Sequence, residues 1–135
     1  MDQTAEWPLR AQEDVVTVRQ AVRSYGVKMG FSLVDQTKLV TAVSELARNT
    51  VVHGGGGSLR LEVLEEATRR GLRCTFEDSG PGIPDVERAM QDGYTTGSGL
   101  GLGLGGAKRL TNEFRIESAA GKGTKVVITQ WNKLH

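Results

Sequence analysis

The chain has 135 residues, enough for one hydrophobic core of ordinary domain size, and we expect a single domain over 1–135. With 38% apolar and 24% charged residues it is globular, and a net charge of +1 supplies no global pull toward nucleic acid, anionic lipid or acidic substrates. One cysteine, Cys74, excludes an internal disulfide and a cysteine-built metal centre. Because it sits among alternating apolar residues, it reads as a buried, inert thiol. There is no basic N-terminal segment leading into an apolar core, and no apolar run nears the ~20 residues of a membrane span. The expectation is a cytoplasmic protein with neither a membrane nor a nucleic-acid partner.

Residues 4–9 predict a short edge strand ended by Pro8. Asp14 is the expected N-cap of a helix reaching about Met29, with Val15, Val18, Ala21, Val22 and Tyr25 at helical spacing and Gly30 closing it. Asp35 is expected to cap a second helix to about Val52, with Leu39, Val43, Leu46 and Thr50 on its inner face. Four glycines after His53 end that helix. Strands follow at 58–65 (Leu59, Leu61, Val63 alternating) and 72–77 (Leu72, Cys74, Phe76), joined by a turn at Ala67 to Gly71. Then come a Gly/Pro loop, a short helix from Pro84 to about Gln91, and a glycine-rich loop to about Gly103. A helix through Leu110 and strands at 113–118 and 124–131, with a turn at Gly121 to Gly123, complete the chain. Trp7 and Trp131 are assigned to packing. Helices on one face of a mixed or antiparallel sheet, an α+β two-layer sandwich, is the packing this order favours.

Three segments can carry chemistry. Glu45 and Asn49 are four apart and share a helix face, beside the apolar arc of Leu39, Val43 and Leu46. A carboxylate and a carboxamide there can activate a hydroxyl or water and hold Mg²⁺ through oxygen; the pair reads equally as a solvated polar face. Asp78-Ser79-Gly80-Pro81-Gly82-Ile83 follows a strand directly. An aspartate there can accept from an exocyclic amine, and Gly80 and Gly82 leave room for a flat ring, although an ordinary Gly/Pro turn has the same composition. In Gly97-Ser98-Gly99-Leu100-Gly101-Leu102-Gly103-Leu104-Gly105-Gly106, glycines leave backbone N–H groups free to converge on an anion ahead of a helix. The embedded G-x-G-x-x-G follows a helix rather than a strand, which excludes the dinucleotide reading, and no G-x-x-x-x-G-K-[ST] occurs. Leucine alternating with glycine is not a flexible-linker composition.

In their order and spacing, Glu45–Asn49, Asp78 to Ile83, Gly97 to Gly103 and Gly121-Lys122-Gly123-Thr124 resemble the nucleotide-binding motifs of the GHKL (Bergerat-fold) ATPase superfamily. Gyrase B, Hsp90, sensor histidine kinases and MutL belong to it. Ser44-Glu45-Leu46-Ala47-Arg48-Asn49 and Gly103 to Leu110 resemble, more narrowly, the RsbT-type switch kinases of the stressosome. The resemblance implies ATP and Mg²⁺ as cofactors. It implies Glu45 as the general base toward a substrate serine, Asn49 as the Mg²⁺ ligand, and Asp78 on the adenine amine with Gly82 beneath the ring. Gly80 and Ile83 line the same loop. Gly97, Gly99, Leu100, Gly101, Leu102 and Gly103 would form a lid over the phosphates, and Thr124 would back up Asp78. Arg48, exposed by its helical position, reads as a contact to partner or phosphate, or as plain surface. His53 reads as a helix-end residue.

The function so implied is phosphorylation of a STAS-domain protein in a partner-switching, stressosome-type pathway, with a phosphatase or other protein as downstream output. Two alternatives stand beside it. One is an anti-sigma factor of the SpoIIAB and RsbW type that binds a sigma factor directly. The other is a nucleotide-gated module without catalysis, against which the presence of both Glu45 and Asn49 argues.

Overall fold

The computed structural model describes residues 3–91 and 103–133. Strand β1 (Thr4–Leu9) leads to helices α1 (Gln12–Lys28) and α2 (Leu33–Val52), and these to strands β2 (Gly57–Glu65) and β3 (Arg69–Asp78). The short helices α3 (Val86–Ala89) and α4 (Gly103–Arg109) precede strands β4 (Glu113–Ser118) and β5 (Thr124–Lys133). The strands form one five-stranded sheet in the order β1-β2-β3-β5-β4, and every neighbouring pair is antiparallel. The expected α+β sandwich is therefore present, with a wholly antiparallel sheet.

Helix α2 is the central helix: it packs against α1 and α4 and lies over the sheet. Its buried residues Leu39, Val40, Ala42, Val43, Leu46, Ala47 and Thr50 recur at three- and four-residue intervals, the period of one helical face. Thr50 is tolerated there because its hydroxyl donates to the Leu46 carbonyl at 2.9 Å. The facing sheet supplies Leu59, Leu61, Leu72, Cys74, Phe76, Val126 and Ile128, all buried. Burial pushes the Cys74 thiol well above its ordinary range, as an inert core cysteine requires. Trp7 packs on this core from the edge strand, which runs one residue past Pro8 to the buried Leu9.

The helix starts differ from the sequence expectation by one turn. Ser32, not Asp35, caps α2, its hydroxyl accepting from the Asp35 N–H at 3.1 Å. Asp14 stands inside the first turn of α1, with its carboxylate reaching back to the Arg10 and Ala11 N–H groups at 2.8 and 3.1 Å. Both aspartates lie where a negative charge favours the helix dipole, so the composition signal was real but its register was displaced. At its other end α1 closes with Gly30 at φ +78°, the Phe31 N–H returning to the Gly26 carbonyl and the Gly30 N–H to Val27. This Schellman pattern turns the chain directly into α2.

The sheet face away from the helices is a charged lattice. Arg73 and Glu62 are cross-strand partners joined by two hydrogen bonds of 3.1 and 3.0 Å, and Arg60 approaches the same carboxylate at 3.3 Å. Trp131 belongs to this face: it lies over Gly71, stacks under the Arg69 guanidinium at 3.6 Å, and donates to Glu113. Among the described residues no helix is long and apolar enough to cross a membrane.

The Arg73 hydrogen bonds hold the Glu62 carboxyl below its ordinary range despite the opposing effect of burial. A depressed folded-state value means that the stabilisation is present above the unfolded value, about 4.3, and is lost as pH falls through the folded one. Glu62→Gln should therefore cost about 1 kcal/mol at pH 7. The gap between thermal melts of the two proteins at stepped pH should begin to close as the pH falls below about 4 and go on closing as it falls further; a gap that stays constant down to pH 2 would show that the ion pair is not its source.

Candidate nucleotide-binding site

The site assembles where the C-terminal turns of α2 meet the end of β3. Glu45 and Asn49 lie one turn apart on α2, both half-buried, at the border of its core-facing stripe. Glu45 is 12% exposed, and one of its carboxylate oxygens accepts from Arg48 at 3.1 Å. Arg48 is exposed as its position implied, and its observed partner is Glu45.

Helix α2 ends when the His53 and Gly54 N–H groups both bond the Asn49 carbonyl, at 2.9 and 3.0 Å. The turn then needs glycine twice for conformation: Gly55 and Gly56 have φ of +74° and +105°. Gly54 is required for a different reason. A Cβ there would run into the Asp78 side chain, and one at Gly80 would stand 2.5 Å from the Gly54 carbonyl oxygen. The turn after α2 thus packs, backbone to side chain, onto the strand-end aspartate, and joins Asn49 to Asp78 through a single residue.

Asp78 is half-buried, and its Oδ1 accepts from the Gly80 N–H at 3.0 Å, an Asx turn that fixes the carboxylate. The loop it begins is held by the β4–β5 turn. The Gly121 N–H donates to the Pro81 carbonyl at 2.6 Å, and the Ile83 N–H to the Ser118 hydroxyl at 2.8 Å. Gly82, at φ +76°, sits so close to the Ala119 carbonyl that no side chain fits, and Gly123 stands likewise against the Asp78 carbonyl. Thr124 is the cross-strand partner of Asp78, so the two side chains share a face.

The structure therefore brings Asn49, through Gly54, to Asp78 and to the loop and strand residues Gly80, Gly82, Ile83 and Thr124, with Glu45 one turn further back along α2. Gly103, at φ +69°, opens α4, which packs on α2 through the buried Leu104, Gly105, Gly106 and Ala107. Gly97, Gly99, Leu100, Gly101 and Leu102 lie outside the described residues. Sequence reasoning missed Gly54, read only as a helix terminator, and Ser118. The latter had a signal: with Phe114 and Ile116 it completes the every-second-residue alternation that points one face of β4 inward.

This geometry suits an adenine nucleotide. A carboxylate held at the end of β3 by the Gly80 N–H can take the amine of a flat base, and glycine at 54, 80 and 82 lets the surrounding backbone close around it. Asn49 and Glu45, one helical turn apart on α2, offer side-chain oxygens as ligands. Among the described residues no three His, Cys, Asp or Glu side chains converge on a metal position. A Mg²⁺ ion here would take most of its ligands from phosphate and water, its usual habit beside nucleotides.

Residues 34–133 match the family of histidine kinase-, DNA gyrase B- and HSP90-like ATPases, and the chain belongs to that family. Within it, the chain is 44% identical over 118 residues to the serine/threonine-protein kinase RsbT of Bacillus subtilis, covering 87% of this chain and 89% of that one. It is 30% identical over 118 residues to an anti-sigma F factor of a Thermoanaerobacter species, covering 84% and 82%. Among solved structures, the RsbU and RsbW domains of a Mycobacterium tuberculosis protein share the fold at a TM-score of 0.67 and 23% identity. That match covers 96% of this chain and 32% of the other.

The contact between Gly54 and Asp78 gives a direct test. Gly54→Ala forces the carboxylate aside and should cost about 1–3 kcal/mol of stability by overpacking. Gly55→Ala meets open space and costs about 1–2 kcal/mol through its positive φ alone. Calorimetry with Mg·ATP should find binding weakened at least tenfold in Gly54→Ala, the scale of one misplaced hydrogen bond, and little changed in Gly55→Ala. Equal affinities in the two variants would detach the turn from the site.

Proposed function

We propose that the protein is a serine/threonine protein kinase of a partner-switching pathway, using Mg·ATP to phosphorylate a STAS-domain protein in the cytoplasm. The observation that carries this reading is the pairing of Glu45 and Asn49 on one helix face, joined through Gly54 to Asp78. The 44% identity to a serine/threonine-protein kinase supports the transfer of phosphate to protein. The STAS partner, the stressosome-type setting and a phosphatase or other output protein rest on the motif resemblance of the segments around Asn49 and Gly103.

In this reading Asp78 and Thr124 hold the base, with Gly82 beneath the ring and Gly80 and Ile83 in the same loop. Asn49 would hold Mg²⁺ through its amide oxygen, and the ion when bound would supply neutralisation of phosphate charge. Glu45 accepts the proton of the incoming serine hydroxyl, a weak nucleophile that needs a base within about 2.6–3.2 Å. Its ion pair with Arg48 engages Oε1, and Oε2 is the oxygen this reading gives to the hydroxyl. The glycine-rich segment from Gly97 to Gly103 is the proposed cover over the phosphates.

A second reading has its own support in the 30% identity to anti-sigma F factors: the same domain binding a sigma factor directly. Pull-downs from native extract with and without ATP separate the two, since one retains a phosphorylatable small protein and the other a sigma factor.

Glu45→Gln should leave nucleotide affinity nearly unchanged while slowing transfer to the partner about 10²–10⁴-fold in a radiolabelled-ATP assay. Transfer at the wild-type rate would remove Glu45 as the base. Asp78→Asn should weaken ATP binding by about 1.5–3 kcal/mol. The Gly80 N–H claims the amide oxygen, so the amide N–H₂ is left facing the base amine, donor against donor. Calorimetry returning the wild-type affinity would remove Asp78 from the base contact.

A further inference from the structure

We propose that Ser118 sets base selectivity by fixing the direction of the Thr124 hydroxyl, so that the site accepts a purine amine and rejects a 6-oxo purine. The inference rests on the nucleotide reading above and adds to it a residue outside every motif that carried the resemblance.

A serine hydroxyl has one proton to donate and two lone pairs with which to accept. Ser118 Oγ has three partners: the Ile83 N–H at 2.8 Å, the Gly123 carbonyl at 2.9 Å and Thr124 Oγ1 at 2.9 Å. An N–H can only donate and a carbonyl can only accept. Ser118 therefore accepts from Ile83 and spends its single proton on Gly123. The remaining lone pair can only accept, so in the contact with Thr124 the proton must come from Thr124. Its own proton committed, the Thr124 oxygen turns only lone pairs toward a ligand.

Thr124 stands across from Asp78, whose carboxylate is likewise an acceptor, with one oxygen engaged by the Gly80 N–H. Two acceptors side by side complement a group that donates twice, as the 6-amine of adenine does. A 6-carbonyl would meet lone pairs on both. Without Ser118 the Thr124 hydroxyl could rotate and donate to that carbonyl, which would reduce the rejection. The same serine holds the loop at Ile83, so it is a positioning residue, and loss of the loop tether alone must be told apart from loss of hydroxyl direction. Tether loss weakens all nucleotides alike; direction loss changes their ratio.

The experiment is calorimetry on the full chain with Mg²⁺ and either ATP or inosine triphosphate, which carries a 6-carbonyl in place of the amine. The wild type should prefer ATP by at least about 100-fold, since a polar site strongly rejects a mismatched partner. Ser118→Ala should narrow that ratio about tenfold, while Ser118→Thr, which keeps the hydroxyl, should retain it. Thr124→Val should also narrow the ratio, because an acceptor for the amine and a repulsion against the carbonyl vanish together; this variant decides the matter if Ser118→Ala fails to fold. An unchanged ratio in Ser118→Ala, or a widened ratio in Thr124→Val, overturns the assignment while ATP binding stands. Equal wild-type affinity for the two nucleotides does the same. Failure of the wild type to bind either one overturns the nucleotide reading and this inference with it.

Discussion

The candidate site depends on a close approach between backbone and side chain: the turn after α2 comes so near Asp78 that only glycine can occupy position 54. Helix α2 carries Glu45 and Asn49, and β3 carries Asp78; the two elements are otherwise related only through the core. Gly54 turns that general packing into a fixed relation, since its N–H is bonded to the Asn49 carbonyl while its Cα lies against the aspartate. A packed interior transmits such a contact because it cannot absorb a methyl group without moving a neighbour. The same logic holds on the opposite side of the loop. There Gly82 and Gly123 let the β4–β5 turn close on the Asp78 to Ile83 segment, and Ser118 ties its end.

The sheet makes this precision affordable by being asymmetric. One face is covered by α1 and α2, with α4 packed on α2, and holds the apolar core; the other carries the charged residues. On the open face Glu62 serves two arginines, and Trp131 is roofed by Arg69, so the stems and rings of long side chains shelter the backbone where no helix does. The strand ends near Asp78 are given over to glycine and polar groups, while the buried apolar side chains Leu61, Leu72, Cys74 and Ile128 lie further along the strands.

Much of the architecture was legible because it rests on periodicity. Leu59, Leu61 and Val63, and Leu72, Cys74 and Phe76, alternate as strand residues with one buried face. Leu39, Val43, Leu46 and Thr50 mark the buried side of α2 as plainly, and the structure buries every one of these residues. The helix starts were read one turn late at Asp14 and Asp35. Acidic residues favour the whole first turn, and composition does not say which position of that turn makes the cap. Trp131 was read as packing. It does pack, but on the exposed face over Gly71, where its register opposite that glycine rather than its hydrophobicity decides its environment.

Sequence by itself determined the apolar faces and the order of elements, and it offered candidates to meet a nucleotide: Glu45, Asn49, Asp78 and the glycines by residue type, and Thr124 by the motif resemblance alone. These are local properties, since a period of two or 3.6 and a chemical group are both readable without knowing what lies opposite. Only the tertiary structure decided why Gly54 must be glycine, which face Trp131 takes, and that Ser118 commits the Thr124 proton. Each of those depends on atoms brought together from distant parts of the chain: Gly54 on Asp78, Trp131 on Gly71, and Ser118 on Ile83, 35 residues away. A hydroxyl's direction in particular follows from its full set of partners, and no spacing along the sequence carries that set.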